Sequence, residues 1–223
     1  MTVKLFFEAL FKYIIGLAMM ILLIFLPAGT FNYWNGWLLI GLLFIPILIA
    51  GGAMMIYNPE LLKRRLENKE REKVQVIVIL ISIAMFISGF LVAGLDHKYG
   101  WSNVDIPTIV IASILFLSSY LIYGEVLTEN AFLSRTIVVL PKQRVIDTGL
   151  YSVVRHPMYS ATVILFLAMP LILGSWVSLA IFLIYPLIII IRINNEEKVL
   201  TEQLSGYKEY KEKVKYKLIP FVW

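Results

Sequence analysis

Two short polar blocks, about 35 residues apart, carry the residue types that could do chemistry in this chain. The first, GLYSVVRHPMYSA (149–161), places Arg155, His156 and Pro157 at the start of a hydrophobic run. Proline suits the first turn of a helix, and the free N–H groups and positive dipole end of such a helix favour anions. With Arg155 and His156 as additional donors, this block predicts a receptor for a carboxylate. Read alone, it is more typical of side chains that anchor a membrane span at its end.

The second block, RINNEEKVL (192–200), places acids next to a cation. Arg192 and Glu196 are four residues apart and share one helix face, while Glu197 lies three residues after Asn194. Paired acids can accept hydrogen bonds from ribose hydroxyls or from an amino group. The alternative is an exposed helical extension with internal ion pairs. A carboxylate receptor beside paired acids suits a zwitterion with an amino acid end and a ribose, such as S-adenosylmethionine, although the pattern alone does not select it.

The elements that position these blocks are membrane spans. The chain of 223 residues is 60% hydrophobic and 16% charged, which indicates a membrane protein. A span needs about 20 apolar residues. The apolar run Tyr159–Ile193 has 35, too many for one crossing, so we expect it to turn at Gly174-Ser175. Pro46, Pro170 and Pro186 are expected to kink their spans. The predicted spans are 5–27, 37–57, 74–95, 106–127, 158–173 and 176–200.

The fold class is therefore all-α: a polytopic integral membrane protein with about six transmembrane helices, the last two forming a helical hairpin. We expect one domain, 1–223, with the cofactor region at about 128–223. In this arrangement 19 of the 20 Lys and Arg residues fall on one side, and only Lys98 falls on the other. The positive-inside rule then places both termini, and both polar blocks, on the cytosolic side of a bacterial or archaeal cell membrane.

Composition also narrows the partners. The net charge of +5 indicates contact with anionic membrane lipids rather than nucleic acid. The chain has no Cys and two distant His, so no metal site is expected. Glu125 and Glu129 are further acids at the depth of the blocks, with no role assigned by the sequence. The oligomeric state is not set by the sequence.

Both blocks, together with the tail GYKEYKEKVKYKLIP (206–220) and NPELLKRRL (58–66), resemble the isoprenylcysteine carboxyl methyltransferase family. The likeness covers nearly the whole chain and is greatest to bacterial members of unassigned substrate; membrane phospholipid N-methyltransferases share the general arrangement. The resemblance implies an S-adenosylmethionine-dependent membrane methyltransferase, with carboxyl O-methylation favoured. The acceptor would be lipophilic or amphiphilic, either a prenylcysteine-like carboxylate or another lipid head group.

The resemblance also implies residue roles. Arg155 and Arg192 would be the catalytic cations that orient a carboxylate acceptor. The cofactor would be bound by Tyr151, His156, Pro157, Tyr159, Glu196 and Glu197. Tyr207 and Tyr210 match the tail of the family, whereas Ala161 stands where the first block often has Gly.

Two other classes remain open at this stage. A membrane reductase of the sterol type would use NADPH, but it would need several more spans and extra basic residues for the 2′-phosphate. A non-catalytic membrane protein would use the charges at the membrane rim only as anchors. Whether the acceptor is a carboxylate or an amine is also open.

Overall fold

The computed structural model describes residues 3–66, 73–130, 132–133 and 139–223. Residues 67–72 of the basic loop after α3, residue 131 and residues 134–138 lie outside the description. All regular structure within these ranges is helical, which confirms the all-α polytopic prediction. The helices are α1 (Val3–Ala28), α2 (Trp34–Tyr57), α3 (Pro59–Leu66), α4 (Lys73–Tyr99), α5 (Ile106–Glu129), a 3₁₀ turn (Gly149–Ser152), α6 (Pro157–Ile172), α7 (Trp176–Phe182), α8 (Tyr185–Gln203) and α9 (Tyr207–Lys213).

Five stretches are long and apolar enough to cross a membrane: α1, α2, most of α4, α5, and Trp176–Gln203, which combines α7 and α8. The apolar helix α6 is shorter, with 16 residues. A tight turn joins α6 to α7, where Gly174 has a φ of +79° that suits glycine. The Ser175 hydroxyl then caps α7 by accepting the Ser178 N–H at 3.0 Å. The hairpin turn therefore lies at the predicted Gly174-Ser175 pair.

The second arm of the hairpin is one apolar stretch, Trp176–Gln203, in which the helix is interrupted between α7 and α8. The chain leaves α7 after Phe182 and re-enters α8 at Tyr185, with Pro186 in the first turn of α8. Proline has no N–H to donate to the carbonyl four residues earlier, so the helical ladder is interrupted one turn before it. Pro46 and Pro170, by contrast, stay inside α2 and α6.

The core between the hairpin and α4 depends on one close approach. A Cβ atom added to Gly89 of α4 would lie only 2.4 Å from the Phe182 ring. The Ser178 hydroxyl donates to the Gly89 carbonyl at 2.8 Å across the same contact. Phe86 and Phe166 complete this packing with an edge-to-face contact whose ring centroids are 4.7 Å apart.

The end of the bundle with the hairpin turn is fixed by a buried acid. Asp96, at the end of α4, is only 1% exposed. It accepts the Ser102 N–H at 2.7 Å and the Ser102 hydroxyl at 2.5 Å, and it also accepts the Ser175 hydroxyl. The two polar blocks, the end of α5 and the tail lie at the opposite end of the bundle, because each is separated from this turn by a full apolar helix.

Candidate functional site

The tail after α9 runs beneath the first polar block. The Arg155 N–H donates to the Tyr216 carbonyl and the His156 N–H to the Lys217 carbonyl, both at 2.9 Å. The Ser160 hydroxyl donates to the Leu218 carbonyl at 2.6 Å. The tail therefore uses the main-chain N–H groups directly before α6, next to the helix start where the sequence predicted a receptor for a carboxylate.

Arg155 and Glu197 form a buried ion pair between the first block and α8. Arg155 Nε donates to Glu197 Oε1 at 2.6 Å, and His156 Nε2 lies 3.2 Å from the same oxygen. Arg155 Nη1 also donates to two tail carbonyls, of Val214 at 2.6 Å and of Lys215 at 2.9 Å. Arg155 and Glu197 are 7% and 5% exposed. This pair therefore joins α6, α8 and the tail, and it occupies most of the Arg155 guanidinium.

The other half of the second block meets the first block through Tyr159. Arg192 Nε donates to the Tyr159 hydroxyl at 2.8 Å, and that hydroxyl donates to Glu196 Oε2 at 2.6 Å. The Arg192 guanidinium carbon also lies 5.7 Å from the centre of the Tyr159 ring. Arg192 and Glu196 share one helix face, as their spacing predicted, and a tyrosine from the neighbouring helix joins them.

A polar cavity opens beside this cluster. Six of the eight predicted site residues line it: Tyr151, Arg155, His156, Tyr159, Arg192 and Glu196. Pro157 and Glu197 do not line it. The remaining wall is partly apolar and was not assigned from the sequence; it includes Phe132, Leu133, Met158, Leu200 and Leu204. The cavity therefore combines a charged side with an apolar side, as a ligand with both polar and aromatic parts requires.

Tyr207, at the start of α9, contributes a hydroxyl that the protein does not use. Its side chain lines the cavity and the residue is only 4% exposed. Within the described residues, this buried hydroxyl has no hydrogen-bond partner. Burial raises the pKa of Tyr207, so the group keeps its proton at neutral pH and is a donor. A buried donor without a partner costs about 1–3 kcal/mol, which a bound acceptor atom would offset.

The neighbouring Tyr210 differs, because its hydroxyl already has a partner. It donates to the Tyr151 carbonyl at 2.7 Å, and burial raises its pKa as well. Tyr151 in turn accepts a hydrogen bond from Asn130 Nδ2 at 3.0 Å on its hydroxyl, and burial raises the pKa of Tyr151 to about 12. Tyr210 therefore fixes the wall of the cavity, and of the two tyrosines of α9 only Tyr207 has a hydroxyl without a partner among the described residues.

Glu129, which had no role in the sequence, holds the turn before the first block. Its carboxylate accepts the Thr148 hydroxyl. Gly149 has a φ of +52°, and a Cβ added there would lie 2.4 Å from Glu129 Oε2. The end of α5 is thus pressed against the turn that leads to Tyr151. The other acid, Glu125, is exposed on the same helix.

Fold and site together define a class: a polytopic helical membrane protein with a charged cavity where its last hairpin meets its tail. Residues 103–206, a little under half of the chain, match the family model for phospholipid methyltransferases. The match includes both polar blocks and stops directly before Tyr207. It supports a membrane methyltransferase in general.

The chain is also similar to an uncharacterized protein, YpbQ, of Bacillus subtilis (strain 168). The two are 26% identical over 93 residues, which is 41% of this chain. The aligned stretch covers 55% of YpbQ, so the similarity spans about half the length of that relative.

Proposed function

We propose that this protein is an integral membrane methyltransferase that uses S-adenosylmethionine to methylate a lipophilic or amphiphilic acceptor. The observation that carries the proposal is a cavity lined both by Glu196 and by Tyr207, whose buried hydroxyl has no hydrogen-bond partner among the described residues. The family match supports it, since methyltransferases of that family generally use S-adenosylmethionine.

The residues of the cavity suit this cofactor. Glu196 is a hydrogen-bond acceptor for ribose hydroxyls or an amino group, and Tyr207 is a donor. Arg144 also lines the cavity and provides positive charge for a carboxylate. Leu200 and Leu204 offer apolar contact for a planar base. Each polar part of the cofactor therefore has a chemically matched group in the cavity.

S-adenosylmethionine supplies a methyl group already activated on a sulfonium. The protein then needs mainly to hold the acceptor in line with that methyl and to exclude water. A carboxylate acceptor needs no general base, only a cation that orients it. We assign this role to Arg192, which lines the cavity beside Glu196 and Tyr159. The buried Arg155 instead joins Glu197 to the tail.

Carboxyl O-methylation of a prenylcysteine-like group is the favoured reaction. A lipid amine is the second candidate, because the matching family is named for phospholipid methylation. An amine must lose a proton before it is methylated. Glu196, next to Arg192 and Tyr159, is the carboxylate among the described residues that line the cavity, and it could accept that proton. Treatment of the methylated product with base distinguishes the two reactions, because a methyl ester releases methanol and a methylamine does not.

We further propose that the acceptor reaches the site from the bilayer. The cavity lies at the end of apolar helices, and a lipid tail gains about 0.8 kcal/mol per buried methylene. A long-chain acceptor should therefore be methylated with a higher kcat/KM than its short-chain homologue. Equal values would contradict access from the membrane and favour a site open only to water.

Ligand binding to the purified protein tests the proposal against its alternatives. S-adenosylhomocysteine should bind and raise the melting temperature, and NADPH should not. Stabilisation by NADPH would favour a reductase, and stabilisation by neither would favour a non-catalytic protein.

Two substitutions then locate the site. Tyr207→Phe and Glu196→Ala should each weaken S-adenosylhomocysteine binding by about 1–3 kcal/mol in calorimetry, the range for an unpaired partner. Tyr207→Phe should leave the melting temperature of the free protein unchanged or higher, because its hydroxyl has no partner to lose. The matched control is Glu202→Ala, because Glu202 is an exposed acid on α8, the helix that carries Glu196. Wild-type affinity in both Tyr207→Phe and Glu196→Ala would show that the ligand binds elsewhere.

A further inference from the structure

The last five residues form a tight turn whose tip projects two apolar side chains outward. The Trp223 N–H donates to the Ile219 carbonyl at 3.1 Å, and the Leu218 N–H donates to the Trp223 carbonyl at 2.8 Å. At the tip, Phe221 is 87% exposed and Val222 is 73% exposed. Phe221 also has a φ of +63°, a left-handed conformation that is unfavourable for a bulky residue. Exposing the Phe221 and Val222 side chains to water would be a second unfavourable contribution to the free energy of this turn.

The depth of this turn follows from α6. The Leu218 carbonyl accepts the Ser160 hydroxyl, and Ser160 lies in the first turn of α6. Helix α6 has 16 residues and is about 24 Å long, whereas a hydrocarbon core is about 30 Å thick. If α6 crosses the membrane, both of its ends must lie at the edges of the hydrocarbon. Leu218 is fixed at that level, so the tip that follows it meets the lipid rather than open water.

The surroundings of the turn have the chemistry of a membrane interface. Trp223 packs against the helical core, and Lys217 Nζ lies 4.7 Å from the centre of its ring. Tryptophan is enriched at this depth in membrane proteins. Lys208 of α9 and Lys215 of the segment after it are exposed. Lys213 is exposed too and pairs with Asp147 at 2.6 Å. Clustered lysines beside an apolar tip attract anionic head groups.

We propose that the tip Pro220–Val222 inserts into the membrane leaflet next to the cavity, with the tail lysines against anionic lipid head groups. The segment between tip and α9 is the one whose Tyr216 and Lys217 carbonyls bind the Arg155 and His156 N–H groups. The inserted tip therefore holds in place the tail segment 214–218, which lies against the first polar block.

A single fluorescent probe tests the insertion. The chain has no cysteine, so Val222→Cys in the full-length protein can be labelled at one site with an environment-sensitive dye. In nanodiscs of phosphatidylcholine and phosphatidylglycerol, its emission should shift to the blue and be quenched by nitroxide-labelled lipids. The control is Glu212→Cys, an exposed polar position in α9, which should be quenched by aqueous iodide instead. Equal iodide quenching at both positions would overturn the proposal.

Hydrogen exchange tests the link to the first block without any ligand. The double variant Phe221→Ser, Val222→Ser should exchange the amides of residues 155 and 156 at least several-fold faster in the same nanodiscs, because the strand that accepts them is released. Exchange at the wild-type rate would overturn the link. Replacing phosphatidylglycerol by phosphatidylcholine should weaken nitroxide quenching at position 222, and unchanged quenching would overturn the role of the lysines.

Discussion

Glu197→Ala should destabilise the protein, because it removes the acid that joins three segments. Glu197 Oε1 accepts from Arg155 Nε at 2.6 Å and lies 3.2 Å from His156 Nε2. Both Arg155 and Glu197 have less than a tenth of their surface exposed. Without the carboxylate, the Arg155 cation stays buried with only the main-chain carbonyls of the tail as partners.

The expected magnitude is set by the loss of one member of a buried pair. Such a loss costs about 3–5 kcal/mol. We expect the lower end, about 3 kcal/mol, because Arg155 retains two charge-to-carbonyl hydrogen bonds. Lys211 and Lys217, at 3.9 and 3.6 Å from Glu197 Oε2, are partly exposed and contribute little. Glu197→Gln keeps an acceptor but loses the charge, so its cost should be smaller, about 1–2 kcal/mol.

Unfolding in mixed micelles, followed by denaturant titration, measures this effect. Glu202→Ala is the control, an exposed acid on the same helix that should change stability by no more than about 0.5 kcal/mol. Trypsin should also cut the Glu197→Ala variant faster after Lys213 and Lys215, because the Arg155 anchor of the tail is weakened. If Glu197→Ala and Glu202→Ala unfold at the same denaturant concentration, the assignment of Glu197 to the scaffold is wrong.

Gly149→Ala should lower the melting temperature, because it puts a Cβ 2.4 Å from the Glu129 carboxylate at a φ of +52°; Gly124→Ala, inside α5 with open space beside it, should be neutral or stabilising by about 0.5–1 kcal/mol. A destabilisation of the same size at both positions would contradict the contact. Asp96→Ala should cost about 2–4 kcal/mol in thermal unfolding, because the donors of Ser102 and Ser175 lose their acceptor. Asp96→Asn should cost less, and equal costs would refute the hydrogen-bond account. Reporter fusions should place the C-terminus in the cytosol and the loop 100–105 outside, and a C-terminal fusion that reports the outside would disprove the orientation.

The spans and the meeting of the two blocks could be predicted because they follow from hydrophobic length and from charge on one side of the membrane. The tail strand could not be predicted, because its bonds to Arg155 and His156 are between main-chain atoms and leave no pattern in the side chains. The same holds for Tyr159: its type and position suggested a ligand contact, but only the packing of α6 on α8 shows that it joins Arg192 to Glu196.

The break between α7 and α8 shows a different limit. The sequence predicted one span, 176–200, with a kink at Pro186, because membrane helices often continue past a proline. Here α7 ends at Phe182, and α8 begins at Tyr185, just before the proline. Phe182 is fully buried and fills the space that Gly89 leaves on α4, so the end of α7 is fixed by packing against another helix. Pro186 could therefore predict a distortion in this span, but not the contact between Phe182 and Gly89.

The two adjacent acids illustrate why site residues of one type divide into different roles. Successive residues on an α-helix are about 100° apart, so Glu196 and Glu197 cannot face the same surroundings. Glu196 turns toward the cavity and Tyr159, and Glu197 turns toward Arg155 and the tail. The two arginines also have different surroundings. Arg155 binds Glu197, whereas Arg192 lines the cavity with Glu196. The Arg155–Glu197 pair is thus part of the scaffold, whereas Arg192, Glu196 and Tyr207 line the cavity. A substitution within the first pair should therefore appear as a loss of stability, and one within the second as a loss of binding.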